Sequence, residues 1–208
     1  MKLNTDGLAD WLLTKTEQPL RLCIAGFPSC GKSTLSNKII RQINKTKIIE
    51  SESWLHPLAY RIKKDISGSH PDSYDLNKCC RDLQALLNGK TIRIPQYSHK
   101  IGASNESIEI KIDSEDGVIL DGTPFSLSCF NKFHNLGIFL HPKDYDIWLK
   151  TSIERDVSSR YFSRSEATRH NMRKAKDMEI IRKDSTSSIF IECILDKKGF
   201  IYEVYDDN

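Results

Sequence analysis

The sequence has no long hydrophobic run, no paired cysteine motif and no repeated or low-complexity segment. No run approaches the roughly 18 apolar residues that a membrane span needs, and the N-terminal segment lacks the apolar core of a signal peptide. The six cysteines show neither C-x-x-C spacing nor a metal-binding arrangement with histidine. We therefore expect a reduced, cytoplasmic protein without a membrane partner.

The chain also has little net charge. Its 31 basic and 28 acidic residues leave a formal charge of +3, and the basic residues are scattered apart from a denser region at 155–183. This balance gives no argument for a nucleic-acid partner. The basic region either contacts phosphate or forms a solvated helix face. A length of 208 residues, 38% of them hydrophobic, suits a single domain over 1–208 with a sizeable core.

Residues 26–33 match the phosphate-binding pattern G-x-x-x-x-G-K-[ST], directly after the apolar run 20–25. Glycines let backbone N–H groups point at one phosphate chain, the lysine supplies charge to the β- and γ-phosphates, and the serine hydroxyl is placed to ligate Mg²⁺. The next segment reads as a helix whose N-terminus faces the phosphates. The motif predicts a site for ATP or another nucleoside triphosphate with Mg²⁺. The predicted contacts are Gly26, Pro28, Ser29, Cys30, Gly31, Lys32, Ser33 and Thr34.

Predicted strands alternate with predicted helices along the chain, which indicates an α/β fold with a mainly parallel central sheet flanked by helices. We expect sheet strands at 20–25, 47–50, 117–121 and 146–149. We expect helices at 5–17, from the phosphate loop to about 44, at 54–66 and 75–87, and through the basic region to 183.

Two further pairs of short strands are predicted. Residues 92–94 and 108–112 alternate apolar and polar positions around a polar loop, which predicts a small antiparallel hairpin inserted at 88–113. The late runs 189–195 and 200–205 predict a closing hairpin.

Three acidic residues follow predicted strands, namely Glu50, Glu52 and Asp121. In a parallel sheet, ligands gather at the carboxyl ends of the strands. Asp121 ends an apolar run in the manner of a Walker B acid, and Mg²⁺ prefers oxygen ligands. Ser33, Glu52 and Asp121 are therefore candidates to hold Mg²⁺. On spacing alone, Glu52 fits a surface position equally well.

The phosphate loop, HPDSYD at 70–75, NGKTIRIPQYSHK at 88–100 and LDG at 120–122 together resemble the uridine kinase family. These P-loop kinases are related to phosphoribulokinase, pantothenate kinase and nicotinamide riboside kinase. The resemblance covers roughly residues 20–165. It implies a P-loop NTPase fold and ATP-dependent transfer of the γ-phosphoryl group to a primary hydroxyl of a small acceptor, a nucleoside such as uridine or cytidine.

The resemblance also implies roles for individual residues. Glu52 is the expected general base close to Mg²⁺, and Asp121 replaces a usual glutamate as metal ligand. Lys32 and Arg160 are expected to neutralise charge on the transferring group, with Arg155, Arg164 and Arg169 as candidate lid members in 155–183. Arg164 is assigned to the nucleotide. The residues assigned to the acceptor are Trp54, Asp72, Tyr97, His99 and Arg169.

Two departures from the family pattern leave the acceptor open. Leu55 stands where the family has a tyrosine that helps hold the nucleoside, and Ser69 stands where it has an acid that grips the ribose hydroxyls. The alternatives are a kinase of nicotinamide riboside, pantothenate, a sugar or a sugar phosphate, and a non-catalytic nucleotide-binding protein. From the resemblance, a homodimer or homotetramer is a reasonable expectation.

Overall fold

The computed structural model describes residues 1–98, 100–160, 162–196 and 199–205. Its strands are β1 (Lys2–Asn4), β2 (Arg21–Gly26), β3 (Thr46–Glu50), β4 (Ile92–Ser98), β5 (Ala103–Ile110), β6 (Gly117–Asp121), β7 (Leu136–Pro142), β8 (Ile189–Asp196) and β9 (Gly199–Val204). Its α-helices are α1 (Thr5–Thr14), α2 (Lys32–Ile40), α3 (Leu58–Lys63), α4 (Leu76–Leu87), α5 (Tyr145–Arg160) and α6 (Arg164–Asp184).

The central sheet has the strand order β1-β9-β8-β7-β2-β6-β3. Strands β3, β6, β2, β7 and β8 run parallel, whereas β9 and β1 are antiparallel to their neighbours. The prediction of a mainly parallel sheet flanked by helices is confirmed. Strands β2, β6 and β7 are almost continuously apolar and buried, as expected for parallel strands covered on both faces. Their carboxyl ends meet at one edge of the sheet.

The predicted strand at 146–149 is wrong, because these residues lie in α5. Asp144 starts that helix: its Oδ1 accepts from the Ile147 amide at 2.9 Å, and its carbonyl accepts from the Trp148 amide at 3.1 Å. The strand of this part of the sheet is β7, which the sequence analysis did not predict. Trp148 still lies in the core, with 4% of its surface exposed.

The inserted hairpin is a separate two-stranded antiparallel sheet of β4 and β5. It is longer than predicted, because most residues of the expected polar loop belong to the two strands and pair with each other. The register shifts between Gln96 and Tyr97, which marks a β-bulge. The predicted closing hairpin is confirmed as β8 and β9, and α2 ends at Ile40 rather than near residue 44.

Helices α5 and α6 are joined by a buried polar cluster around Asp156, which is fully buried. Its Oδ2 accepts from Lys174 Nζ at 3.0 Å and from Asn171 Nδ2 at 2.9 Å. Lys174 is therefore buried and ion-paired rather than a solvated member of the basic region. None of the helices in the described parts combines the length and apolarity that crossing a membrane requires.

Candidate functional site

The phosphate-binding loop connects β2 to α2, and two glycines shape it. Gly26 has φ +129°, and a Cβ there would lie 2.1 Å from the Leu140 carbonyl oxygen. Gly31 has φ +82°, and a Cβ there would lie 2.3 Å from Tyr202 Oη. Because both the backbone conformation and the space exclude a side chain, each position requires glycine.

Three side chains from distant elements hold the carbonyl groups of this loop. Trp148 Nε1 donates to the Pro28 carbonyl at 2.6 Å, Thr123 Oγ1 to the Gly26 carbonyl at 3.0 Å, and Tyr202 Oη to the Cys30 carbonyl at 3.4 Å. Sequence reasoning missed these supports, and no local pattern signals them. These three hydrogen bonds hold the carbonyl groups of Gly26, Pro28 and Cys30 in place.

The predicted nucleotide contacts meet where the loop enters α2. Lys32 Nζ donates to the carbonyls of Gly26 and Phe27 at 3.0 and 3.1 Å, so the ammonium lies over the loop. Ser33 and Thr34 are exposed on the first turn of the helix. A helix N-terminus combined with a lysine and a glycine-rich loop makes an anion site.

Cys30 and Ser29 complete the loop, and their side chains have different surroundings. Cys30 is 1% exposed, and the hydrogen bond between its thiol and Cys193, together with burial, raises the pKa of Cys193. Ser29 adopts φ +61°, and its Oγ accepts from Ser152 Oγ at 3.3 Å. Ser29 is thereby connected to α5.

The predicted acidic residues come together at the carboxyl edge of the sheet. Asp121 on β6 is in register with Ile24 of β2 on one side and with Glu50 of β3 on the other. Its Oδ2 accepts from Ser36 Oγ of α2 at 3.0 Å, a bond that sequence analysis did not anticipate. Glu52 follows in the 3₁₀ turn Ser51–Trp54.

The carboxyl groups at this edge influence one another. Burial raises the pKa of Glu52, the charges of Glu50 and Asp121 raise it further, and a backbone hydrogen bond and Lys32 oppose the shift. Burial also raises the pKa of Glu50, with Asp121 adding to it. Crowded carboxylates of this kind are stabilised by a cation.

The donor set fits Mg²⁺ held together with a nucleotide. Within the described ranges, no group of three or more His, Cys, Asp or Glu side chains is arranged to hold a metal alone. A magnesium ion in such a site needs only one or two carboxylates, because phosphates and water supply the other oxygens. Asp121, with the exposed hydroxyl of Ser33 and the carboxylate of Glu52, matches that requirement.

A cavity of about 520 Å³ lies between the end of β3 and the inserted hairpin. Glu52 and Tyr97, both predicted site residues, line it together. The other lining residues are Ile48, Glu50, Ser53, Ile94, Gln96, Ser98, Asn105, Glu106, Ile108 and Ile110. The base candidate therefore faces a space large enough for a small molecule.

Other predicted acceptor contacts lie elsewhere. Trp54 is 4% exposed, and its Nε1 donates to Asp82 Oδ2 at 2.7 Å, so it packs in the core instead of lining the cavity. Asp72 lines a smaller cavity of about 380 Å³ beside α3, and its side chain is 79% exposed. His99 and the side chain of Arg160 lie outside the described residues.

The candidate lid arginines belong to the α5–α6 pair. Arg164 pairs with Glu154 at 2.6 Å, and Arg155 pairs with Asp156 at 3.1 Å. Arg169 is exposed on α6. Their predicted contacts with the triphosphate stay predictions.

Comparisons with known proteins agree with this geometry. Residues 22–190 match the sequence profile described as "Phosphoribulokinase / Uridine kinase family". A uridine kinase from Lactobacillus helveticus is 29% identical over 162 residues, which cover 72% of this chain and 73% of that protein.

A uridine kinase-like protein 5 from Arabidopsis thaliana is 27% identical over 150 residues. The match covers 69% of this chain but 32% of that longer protein. Among solved structures, a phosphoribulokinase from Rhodobacter spheroides superposes with a TM-score of 0.57 at 13% identity, over 85% of this chain and 70% of that one. This last likeness concerns the fold alone.

Proposed function

The chain belongs to the phosphoribulokinase / uridine kinase family, and from this premise we propose that it transfers the γ-phosphoryl group of ATP to a primary hydroxyl of a nucleoside such as uridine or cytidine. The observation that carries the proposal is the meeting of three parts at one edge of the sheet. These are the phosphate loop with Lys32, the carboxylates of Asp121 and Glu52, and the cavity that Glu52 lines.

The loop and Lys32 would bind and orient the triphosphate. Backbone N–H groups of a rigid loop need no rearrangement when charge develops on the phosphates, so they stabilise the transition state efficiently. Lys32 now donates to loop carbonyls, and a phosphate oxygen would compete for the same ammonium hydrogens. Mg²⁺, where bound, neutralises negative charge on the β- and γ-phosphates. Asp121 and Ser33 are the residues that would hold it, with Glu52 close by.

Glu52 would accept the proton of the attacking hydroxyl. Burial raises its pKa, which makes its carboxylate a stronger base than an exposed glutamate. Glu52 lines the cavity and also feels the charge of Lys32, so this carboxylate connects the proposed acceptor space with the phosphate loop. Lid closure from α5 and α6 would exclude water and suppress hydrolysis of ATP.

A second candidate is a kinase of a different small acceptor, and Ser69 favours it. Ser69 is 7% exposed, its amide donates to Ser67 Oγ at 3.0 Å, and it offers no carboxylate to ribose hydroxyls. Leu55, 8% exposed, likewise offers no aromatic hydroxyl. Nicotinamide riboside, pantothenate, sugars and sugar phosphates are the acceptors to compare.

The test is release of ADP from Mg·ATP by the full chain with a panel of these acceptors, including uridine and cytidine. With the best acceptor, Glu52→Gln should lower kcat by about 10²- to 10⁴-fold, because it removes the general base. Glu115→Gln is the matched control, since Glu115 is exposed just before β6, away from the carboxyl edge. Near-normal kcat in Glu52→Gln at saturating substrates would remove Glu52 from this role.

A further inference from the structure

Arg61 on α3 is a buried cation next to the proposed acceptor cavity. Only 7% of its surface is exposed. Burying a guanidinium is costly unless its N–H groups find good partners. The partners of Arg61 therefore indicate why the chain keeps a charge at this position.

Those partners are a carbonyl and a phenol. Arg61 Nε donates to the His56 carbonyl at 3.1 Å, and Nη2 donates to the hydroxyl of Tyr97. The guanidinium carbon also lies 5.7 Å from the centre of the Tyr97 ring. Over the described parts of the chain, no carboxylate forms an ion pair with Arg61. Arg61 thus supplies directed hydrogen bonds rather than one half of a salt bridge.

The segment that begins α3, the helix that carries Arg61, is held by two backbone hydrogen bonds to other parts of the chain. The Leu58 amide, at the start of α3, donates to the Gly102 carbonyl at 2.7 Å, and the His56 amide donates to the Ser73 carbonyl at 2.8 Å. These bonds connect the α3 segment to the turn of the inserted hairpin and to the turn before α4.

Tyr97 stands on less regular backbone. The register of β4 against β5 shifts between Gln96 and Tyr97, and a bulge of this kind changes the direction of nearby side chains. Tyr97 also lines the acceptor cavity. The hydrogen bond and the ring contact from Arg61 therefore add to strand pairing in setting the orientation of Tyr97.

We propose that Arg61 is a positioning residue that holds Tyr97 against the acceptor cavity and so sets which acceptors fit. The role needs the planar fork of arginine, because one group must reach the His56 carbonyl and the Tyr97 hydroxyl in fixed directions. A lysine keeps the charge but provides a single flexible ammonium. The proposal rests on the kinase function proposed above, since it assigns the cavity to the acceptor.

The kinetic test compares Arg61→Lys with Arg93→Lys. Arg93 is the matched control, because it lies on the same strand as Tyr97 but is exposed and pairs with Glu109 across the hairpin. Arg61→Lys should raise the acceptor KM by about tenfold or more, with kcat and the KM for ATP changed by less than about twofold. Tyr97→Phe should act in the same direction. The double variant should be no worse than the more affected single variant, because both changes break one contact.

An unchanged acceptor KM in Arg61→Lys, or effects that add in the double variant, would overturn the proposal. If Arg61→Lys does not fold, judged by circular dichroism, Tyr97→Phe alone decides: a normal acceptor KM in that variant also overturns it.

A second measurement does not depend on turnover. In protein labelled with 3-fluorotyrosine, the Tyr97 resonance is the one absent from Tyr97→Phe. Arg61→Lys should shift this ¹⁹F resonance, and Arg93→Lys should leave it in place. An unmoved resonance contradicts the inference. A protein that shows the shifted resonance but phosphorylates no acceptor would support the contact between Arg61 and Tyr97. The same result would contradict the proposed kinase function.

Discussion

The proposed catalytic role of Glu52 comes at the expense of stability. Glu52 lies in the turn that follows β3, where its carboxyl group is buried near Glu50 and Asp121. Burial and the charges of these two neighbours raise the pKa of Glu52. A raised pKa favours proton acceptance near neutral pH. The same shift means that the ionised form is less favourable in the folded protein than in the unfolded chain. The proposed general base is therefore a source of instability at neutral pH.

This linkage predicts a pH-dependent difference between Glu52→Gln and the natural chain. A carboxyl group with a raised folded pKa contributes stability that is fully present below its unfolded pKa, about 4.3 for a glutamate. That contribution is lost as pH rises through the folded pKa. The free energy of unfolding of Glu52→Gln, measured by urea titration, should therefore increase relative to that of the natural chain as pH rises from 4 to 8.

Glu115→Gln should show the opposite slope, because hydrogen bonds and Lys45 lower the pKa of Glu115 in the folded state. Its stability contribution is present above the unfolded pKa and is lost as pH falls. A difference between Glu52→Gln and the natural chain that does not vary with pH would show that Glu52 is not perturbed.

Among the secondary-structure elements, β9 contacts the phosphate loop directly. Tyr202 on β9 is fully buried, and its hydroxyl donates to the Cys30 carbonyl at 3.4 Å. Phe200 of the same strand lies close to Gly31. The N-terminus covers the far edge of this strand, since β1 pairs with β9. The closing hairpin therefore supports the phosphate loop in addition to extending the sheet.

The closeness of β9 predicts that Gly31→Ala weakens nucleotide binding, because a steric clash adds to the backbone strain at this position. A Cβ at Gly31 would lie 2.3 Å from Tyr202 Oη, in addition to strain of about 1–3 kcal/mol from a positive φ. Gly89→Ala is the matched control: φ there is +75°, yet nothing lies within 4 Å of the added Cβ. Calorimetric titration with Mg·ATP should show at least about a tenfold loss of affinity for Gly31→Ala, equivalent to about 1.4 kcal/mol, and none for Gly89→Ala.

Adding Tyr202→Phe to Gly31→Ala should restore part of the affinity, because it removes the hydroxyl that the new Cβ meets. Normal affinity for Mg·ATP in Gly31→Ala would mean that β9 moves to make room for the new Cβ. That result would contradict the inference that β9 holds the loop in place.

In the whole molecule, the segment between α3 and α4 is joined to helices α5 and α6 through side-chain contacts of α6. Asp177 of α6 accepts from the Ser67 amide at 2.8 Å, within the segment that leads from α3 to α4. Arg173 of α6 also pairs with Asp65 at 2.5 Å. Because α6 is in turn joined to α5 through Asp156, the segment between α3 and α4, the two helices and the loop that Trp148 holds are connected.

Such a connected molecule should respond to nucleotide as one unit. Mg·ATP at 100 times its Kd should stabilise the fold by about 2.7 kcal/mol, which in a chain of this size raises Tm by about 5–10 °C. Differential scanning calorimetry with and without Mg·ATP measures the shift. Lys32→Met should lose most of it, because the lysine supplies charge to the phosphates.

Lys38→Met is the control for this experiment. Lys38 lies on the same helix but pairs with Asp6 at the surface, at 2.6 Å. It should keep the full shift in Tm. An equal shift in Lys32→Met would show that the nucleotide binds elsewhere.

The amino-acid sequence alone determined the phosphate loop, the alternation of strands and helices, the inserted hairpin and the family. These features are encoded by neighbouring residues: a contiguous motif from Gly26 to Ser33, apolar periodicity, and short segments such as HPDSYD. It also selected Asp121, because acidic residues after apolar runs meet at one edge of a parallel sheet, whereas the choice of Glu52 came from the family resemblance.

Only the tertiary structure decided which short apolar run became a strand and which side chains support the site. Residues 146–149 and β7 carry similar local signals, and capping by Asp144 together with packing of the sheet separates them. Trp148 meets Pro28 across 120 positions, and Tyr202 meets Cys30 across 172. Contacts at such separations leave no periodicity in the sequence, because they depend on where the folded elements pack.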